Sequence, residues 1–228
     1  MEQSFWMERW QQGRTAFHQA SVNPWLARYG PDLFQNAHRV LVPLCGKTND
    51  LFWLAARSKY VLGIEFVDQA VQAFFAENRL PFERSAEGRY RCLTAFPGLL
   101  EIQAGDFFAL KPPPRFDALY DRAAMIALPP ELRARYVPQV IRLLNPGARM
   151  LVVLIEYESN TVSGPPFSVT GAELEASYGH CCRITALGHE EAPAPERLRA
   201  AGLSAVHEFA YSIEKQFDPA DTADEMRA

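Results

Sequence analysis

VLVPLCGKTND, residues Val40–Asp50, is the stretch on which the fold turns. Val40, Leu41 and Val42 read as a buried strand, Gly46 lies in the turn after it, and Thr48, Asn49 and Asp50 open a helix. A second apolar run, Tyr60–Ile64, ends on Glu65, which follows that glycine by 65 − 46 = 19 residues. In a βαβ unit this spacing sets a backbone turn beside a ligand and brings a carboxylate to its ribose hydroxyls. The nucleoside part of a cofactor is expected here.

The chemistry of the turn narrows the choice. Gly46-Lys47-Thr48 has the ending of a P-loop, but Leu41 stands where that motif needs a glycine, so backbone N–H groups cannot wrap a phosphate. The dinucleotide pattern G-x-G-x-x-G fails too, with Leu44 at its first glycine and Asn49 at its third. A cofactor with a nucleoside and no phosphate fits better, and S-adenosyl-L-methionine is the common one. Two other readings stay open at this point: a nucleoside-binding module without turnover, and an NAD(P)-dependent oxidoreductase weakened by the missing glycines.

A chain of 228 residues suits one α/β domain, and its net charge of −4 offers no electrostatic footprint for nucleic acid. No apolar run reaches the ~18 residues of a membrane span, and Glu2, Glu8 and Arg9 make a poor signal peptide. A cytoplasmic monomer is expected, with no membrane or nucleic-acid partner. The four cysteines, Cys45, Cys92, Cys181 and Cys182, form no C-x-x-C pair and read as reduced, buried thiols, with adjacent Cys181 and Cys182 on opposite strand faces. With five histidines and no H-E-x-x-H, no metal is expected.

Strands are predicted at Arg39–Val42, Tyr60–Ile64, Leu99–Ala104, Phe116–Tyr120 and Arg149–Glu156, with an inserted hairpin between Phe82 and Ala95 around Glu87-Gly88. Asp68 caps a helix that shares Val71, Phe74 and Phe75 on one face. Pro129-Pro130-Glu131 opens another, with Leu132, Tyr136, Val140 and Leu144 along one side and Arg133, Arg135 and Arg142 mostly elsewhere, until Asn145-Pro146-Gly147 stops it and turns the chain into the next strand. Helix Thr170–Tyr178, strand Cys181–Leu187, helix Pro195–Ala201 and strand Ala205–Lys215 follow. Alternating β and α elements imply an α/β fold with a mostly parallel sheet and a ligand at the carboxyl ends of its strands.

FHQ (Phe17–Gln19), VPLCGK (Val42–Lys47), GIE (Gly63–Glu65), GDFF (Gly105–Phe108), YDRAAMIALPPELRARY (Tyr120–Tyr136) and GPPF (Gly164–Phe167) together resemble the thiopurine S-methyltransferase family, especially its bacterial members. The resemblance runs from Trp6 to Lys215. It implies a Rossmann-like class I methyltransferase fold, seven-stranded, with helices on both faces and an antiparallel last strand. In that reading residues 1–217 are one methyltransferase domain, 1–36 form a helical lid over the site, and 218–228 are a disordered tail. Lys59-Tyr60 stands where bacterial relatives carry Gly-His, and Phe66-Val67-Asp68 replaces a Leu-Ser start to the next helix.

Carried over by position, the resemblance implies cofactor contacts at Trp10, Leu44, Glu65 and Arg122, with Gly46 in the same turn and Asp106-Phe107 near the adenine. It places Phe17, Arg122, Pro165, Pro166 and Phe167 around the acceptor, a small aromatic or heterocyclic thiol, with selenium or tellurium compounds as a side activity. The cofactor is S-adenosyl-L-methionine and the product S-adenosyl-L-homocysteine. Each assignment has a plainer rival: Trp10 pairs with Trp6 to dock its helix, Arg122 pairs with Asp121, Asp106 caps a turn. No residue is assigned as a general base, because thiols are partly ionised near neutrality and a nearby arginine raises the thiolate fraction.

Overall fold

Runs of apolar, β-branched residues bounded by turn signals form parallel strands that can be covered on both faces. The computed structural model describes residues 3–15, 18–19, 21–112, 114–158, 162 and 164–219. They fall into two compact units that meet in sequence after Leu110.

The first unit carries α1 (Gln3–Gln11), α2 (Pro24–Leu33), β1 (Arg39–Pro43), α3 (Asp50–Ala55), β2 (Tyr60–Glu65), α4 (Asp68–Glu77), β3 (Glu83–Glu87), β4 (Tyr90–Ala95) and β5 (Leu100–Ala104). A single 3-10 turn at Phe107–Ala109 closes it. Its strands lie in the order β3-β4-β5-β2-β1. β1 pairs with β2, and β2 with β5, in parallel. The inserted hairpin joins this sheet: β4 is antiparallel to β5, and β3 is antiparallel to β4. Val40, Leu41, Val42, Val61, Leu62 and Ile64 are all buried, each side chain contributing roughly 1.5–3 kcal/mol of transfer free energy.

The second unit carries β6 (Phe116–Asp121), α5 (Ala124–Ala127), α6 (Pro130–Leu143), β7 (Leu144–Glu156), α7 (Gly171–Tyr178), β8 (Cys182–Pro193), α8 (Glu196–Ala200) and β9 (Ala205–Lys215). The order here is β6-β7-β9-β8. β6 and β7 are parallel, whereas β9 runs antiparallel to both β7 and β8. The antiparallel last strand matches the expectation. The count differs from seven only because β3 and β4 extend the sheet instead of standing apart from it.

Three local expectations are corrected. Asn145-Pro146-Gly147 does not separate helix from strand: β7 already starts at Leu144, and Gly147, at φ +80°, sits in an irregular stretch where the pairing shifts between Phe116 and Ala118. Arg133, set apart from the apolar side of its helix by the sequence pattern, is nevertheless buried at 4% exposure, because a carboxylate from α7 meets it. Cys181 and Cys182 do not diverge; Cys181 precedes β8, and the two sulfurs lie 3.6 Å apart. All four cysteines are free, buried thiols. Asp218, assigned by sequence to the head of the tail, accepts hydrogen bonds from Arg115 at 2.6 Å and from Lys215.

Candidate functional site

Three strand ends of the first unit are laced together. Cys45 N–H donates to the Ile64 carbonyl at 3.0 Å, and Gly105 N–H donates to the Glu65 carbonyl at 2.9 Å. The Val40–Asp50 turn, Glu65 and Gly105-Asp106 therefore share one edge, as parallel topology requires. Leu44 (φ +49°) and Gly46 (φ +55°) are both left-handed. For leucine that conformation costs about 1–2 kcal/mol, so the surroundings must hold it.

Glu65 is the hub. One carboxylate oxygen accepts the Gly46 N–H at 2.9 Å and the other accepts the Val67 N–H at 2.8 Å. Burial pushes its carboxyl up to about 7, opposed by the backbone donors at Val67, Gly46 and Phe66. A carboxylate offers about four lone-pair sites, so capacity for two hydroxyl donors remains. The group ties the turn to β2 while keeping acceptor character at the strand end.

Trp10 is buried at 5% and packs with Trp6 and Phe66 on Val67 and Ala70, which docks α1 on α4. Its ring also borders the glycine turn: a Cβ at Gly46 would lie 3.5 Å from the Trp10 Cζ2 atom. Asp106 caps the 3-10 turn by accepting the Phe108 N–H at 3.0 Å, and Phe107 is buried. Asp106 is itself exposed, with its carboxylate at the strand-end edge.

Two contributors were invisible in the sequence. Tyr90, from the inserted hairpin, donates its hydroxyl to the Asp106 carbonyl at 2.8 Å, and its ring fills the space a side chain at residue 105 would need. Gly105→Ala would put a Cβ 2.4 Å from the Tyr90 ring, so it is expected to destabilise the protein by about 1–3 kcal/mol in urea unfolding. Adding Tyr90→Leu should recover part of that loss. Asp50 accepts the Asn23 N–H at 2.8 Å, and Asn23 in turn caps α2 through Trp25 N–H at 3.0 Å, so α2 is anchored to the turn region.

In the second unit, Asp121 ends β6 and Arg122 follows it, half-buried. The Asp121 carboxylate accepts the N–H groups of Ala124 (2.8 Å) and Met125 (3.3 Å) and the Tyr136 hydroxyl (2.7 Å). Burial pushes this acid up to about 6, against those same donors. Asp121 is thus the knot that sets α5 and α6 on β6 and fixes the backbone from which Arg122 projects.

Pro165 is buried, and Pro166 and Phe167 are half-buried. Phe167 N–H donates to the Ile126 carbonyl at 2.7 Å, and Tyr157 donates its hydroxyl to the Pro166 carbonyl at 2.6 Å. Ser168 bridges back to Tyr157, accepting its N–H and donating to its carbonyl, each at 3.0 Å. The segment is a braced apolar wall. Phe17 lies outside the described residues.

Among the described residues, Glu87, Cys92 and Glu101 hold metal-capable atoms within 4.8 Å of one another. The Gln103 side-chain amide donates to both acids, at 3.1 and 2.8 Å, and the Tyr60 hydroxyl donates to Glu101 at 3.1 Å. These donors account for the grouping.

A family model described as Thiopurine S-methyltransferase (TPMT) matches residues 1–216. A thiopurine S-methyltransferase of Azotobacter vinelandii is 40% identical over 225 residues, covering 95% of this chain and all of the relative. One from Xanthomonas campestris pv. campestris is 41% identical over 220 residues, covering 94% of this chain and all of the relative. Among solved structures, the Burkholderia thailandensis 1,6-didemethyltoxoflavin-N1-methyltransferase has a TM-score of 0.65 at 18% identity, with 94% of this chain and 87% of that one covered. The N-methyltransferase NodS of Bradyrhizobium japonicum, solved with S-adenosyl-L-homocysteine, has a TM-score of 0.57 at 10% identity, with 85% and 88% covered. At those identities the structures share the fold.

Proposed function

The chain belongs to the thiopurine S-methyltransferase family, and from that premise we propose that it methylates the sulfur of an aromatic or heterocyclic thiol. It is an S-adenosyl-L-methionine-dependent methyltransferase. When bound, that cofactor supplies an electrophilic methyl group on a sulfonium. The residues present fit it: Glu65 keeps acceptor capacity beside its two backbone donors, and the glycine at residue 46 leaves room beside the Trp10 ring.

The observation that carries the reading is the Glu65 carboxylate held by the Gly46 N–H, since it joins the acid and the turn into one nucleoside-binding unit. In this proposal Glu65 receives the ribose hydroxyls, Leu44 and Gly46 line the turn, and Asp106 and Phe107 serve the adenine. Trp10 offers an apolar edge and a π face toward a cation, an attraction of ~0.5–2 kcal/mol. Residues 1–36 close over the cofactor as a lid. Arg122 serves the methionine portion and favours the ionised acceptor, while Phe17, Pro165, Pro166 and Phe167 shape an apolar chamber that keeps water from the thiolate. A cytoplasmic monomer acting on small molecules belongs to the same proposal. Soft selenium and tellurium nucleophiles suit the same chamber. No helix among the described residues is long and apolar enough to cross a membrane.

Calorimetry with S-adenosylhomocysteine and with NAD, followed by mass-spectrometric detection of methyl groups on a panel of thiols, selenols and amines, tests this. Binding of the homocysteine ligand and methylation of heteroaryl thiols is the expected outcome; methylation of amines alone would overturn the acceptor class. Arg122→Lys should slow transfer about tenfold, the scale of one hydrogen bond to a charged group. Full activity of that variant across the pH range in which the thiol ionises would remove Arg122 from this role.

A further inference from the structure

Arg133 is unusual in being a guanidinium on an amphipathic helix that is almost wholly buried, at 4% exposure. Its Nε and Nη2 donate to the two oxygens of Glu173 at 2.5 and 3.1 Å, and its Nη1 donates to the Leu128 carbonyl at 2.6 Å. Glu173 lies in the first turn of α7, and Leu128 is the C-terminal cap of α5. Three hydrogen bonds in a planar fork leave the guanidinium plane no freedom to rotate. The Arg133 Cζ lies 5.8 Å from the centre of the Phe167 ring, over which it sits.

The proline wall needs such an external brace. Pro165 and Pro166 have no N–H, so among the described residues the backbone of that stretch is held only through the Phe167 N–H on the Ile126 carbonyl and the Pro166 carbonyl under the Tyr157 hydroxyl, and neither bond sets the orientation of the Phe167 ring. Gly164 is pressed against the Phe167 ring, where an added Cβ would lie 2.5–2.8 Å from three ring carbons. The ring is thus placed by the Gly164 backbone and by a cation whose orientation α7 and α5 fix. An ion pair between a buried arginine and a half-buried carboxylate is weak evidence for stability, since removing both partners together is often neutral or stabilising. The position of Phe167 gives this pair something else to specify.

We propose that Arg133 is a positioning residue for the methyl acceptor: through Glu173 and Leu128 it holds the Phe167 ring that forms one wall of the acceptor chamber. The inference rests on the proposed acceptor reading and deepens it, since Arg133 acts on substrate only through Phe167. It makes acceptor affinity depend on a carboxylate of α7, 40 residues from its partner arginine.

The test uses the full-length protein and two variants, Arg133→Lys and the paired Arg133→Met/Glu173→Leu. The paired change removes the buried cation together with its half-buried partner, so no buried charge is left unpaired and a folded protein stays in hand if the lysine variant unfolds. Both are expected to raise KM for a heteroaryl thiol ~10-fold or more while kcat falls less and the Kd for S-adenosylhomocysteine stays put. In a Phe167→Leu background the same changes should have little further effect on KM, because the ring they position is gone. An unchanged acceptor KM in either folded variant, or additive effects with Phe167→Leu, would overturn the proposal. A wild-type protein that binds S-adenosylhomocysteine but methylates no thiol would overturn the acceptor reading and this inference with it; wild-type activity with an unmoved KM sinks Arg133 alone.

Discussion

Glu65→Ala is expected to weaken S-adenosylhomocysteine binding by about 100-fold or more while leaving a folded protein. Two hydroxyl donors to a charged acceptor are each worth ~1.5–3 kcal/mol, and tenfold in affinity is 1.4 kcal/mol, so losing both spans about two to four orders of magnitude, of which 100-fold is the lower end. The variant also strands the Gly46 and Val67 N–H groups, which loosens the turn. Against this, it removes a buried carboxyl that is costly to ionise. The net change in unfolding free energy is therefore small beside the change in binding. Calorimetry read beside thermal denaturation separates the two, and unchanged affinity in a folded Glu65→Ala protein would end the cofactor assignment.

The same group makes binding pH-dependent. In the ligand-free protein the Glu65 carboxyl is pushed up to about 7 by burial, so it is largely protonated in mildly acidic solution. Hydroxyl donors favour the ionised form, so ligand binding must expel that proton at low pH. Affinity should rise about tenfold per pH unit well below 7 and level off above it, whereas Glu65→Gln should be nearly flat. For the fold the sign is opposite. Because the folded value exceeds the ordinary glutamate value of 4.5, this group's contribution to stability is fully present below 4.5 and is lost as pH rises through about 7.

Asp121→Ala should have the largest effect on stability. It leaves the Ala124 and Met125 N–H groups and the Tyr136 hydroxyl without their buried acceptor. Stranding three such donors, the buried tyrosine hydroxyl among them, costs about 3–5 kcal/mol. Removal of a carboxyl that burial pushes up to about 6 offsets part of that. At about 2–4 °C per kcal/mol for a chain this long, thermal unfolding should fall by roughly 5–10 °C. Asp121→Asn keeps an acceptor for the two amides and should lose about 1 kcal/mol. A drop of less than a few degrees for the alanine variant would mean that α5 is anchored elsewhere.

Local periodicity made most strands legible, because Val40–Val42, Tyr60–Ile64 and Met150–Ile155 are apolar runs whose ends carry turn chemistry. Glu65 was legible because an acid at fixed spacing from a turn glycine is a local pattern, and the structure puts its carboxylate on the Gly46 N–H. What escaped is what depends on distant partners. Arg133 reads as a residue off the apolar side of its helix until Glu173 arrives from 40 residues away. Tyr90 belongs to a hairpin that looked like an insertion, and only the absent side chain at Gly105 admits its ring. Leu44 gives no sign of its left-handed backbone, since leucine has no preference for it.

The placement of β9 between β7 and β8 sets an order of events on the ribosome. Until residues 205–215 have emerged, β8 has no neighbour, and β7, with Met150–Ile155 buried in the finished protein, offers one bare edge to any other nascent chain. Insertion of β9 satisfies both strands in one stroke. Its last residue, Lys215, then bolts to the carbonyls of Ile141 and Leu144 at 2.8 and 2.7 Å, where α6 gives way to β7. A message cut short before codon 205 would thus yield a sticky intermediate rather than a smaller enzyme.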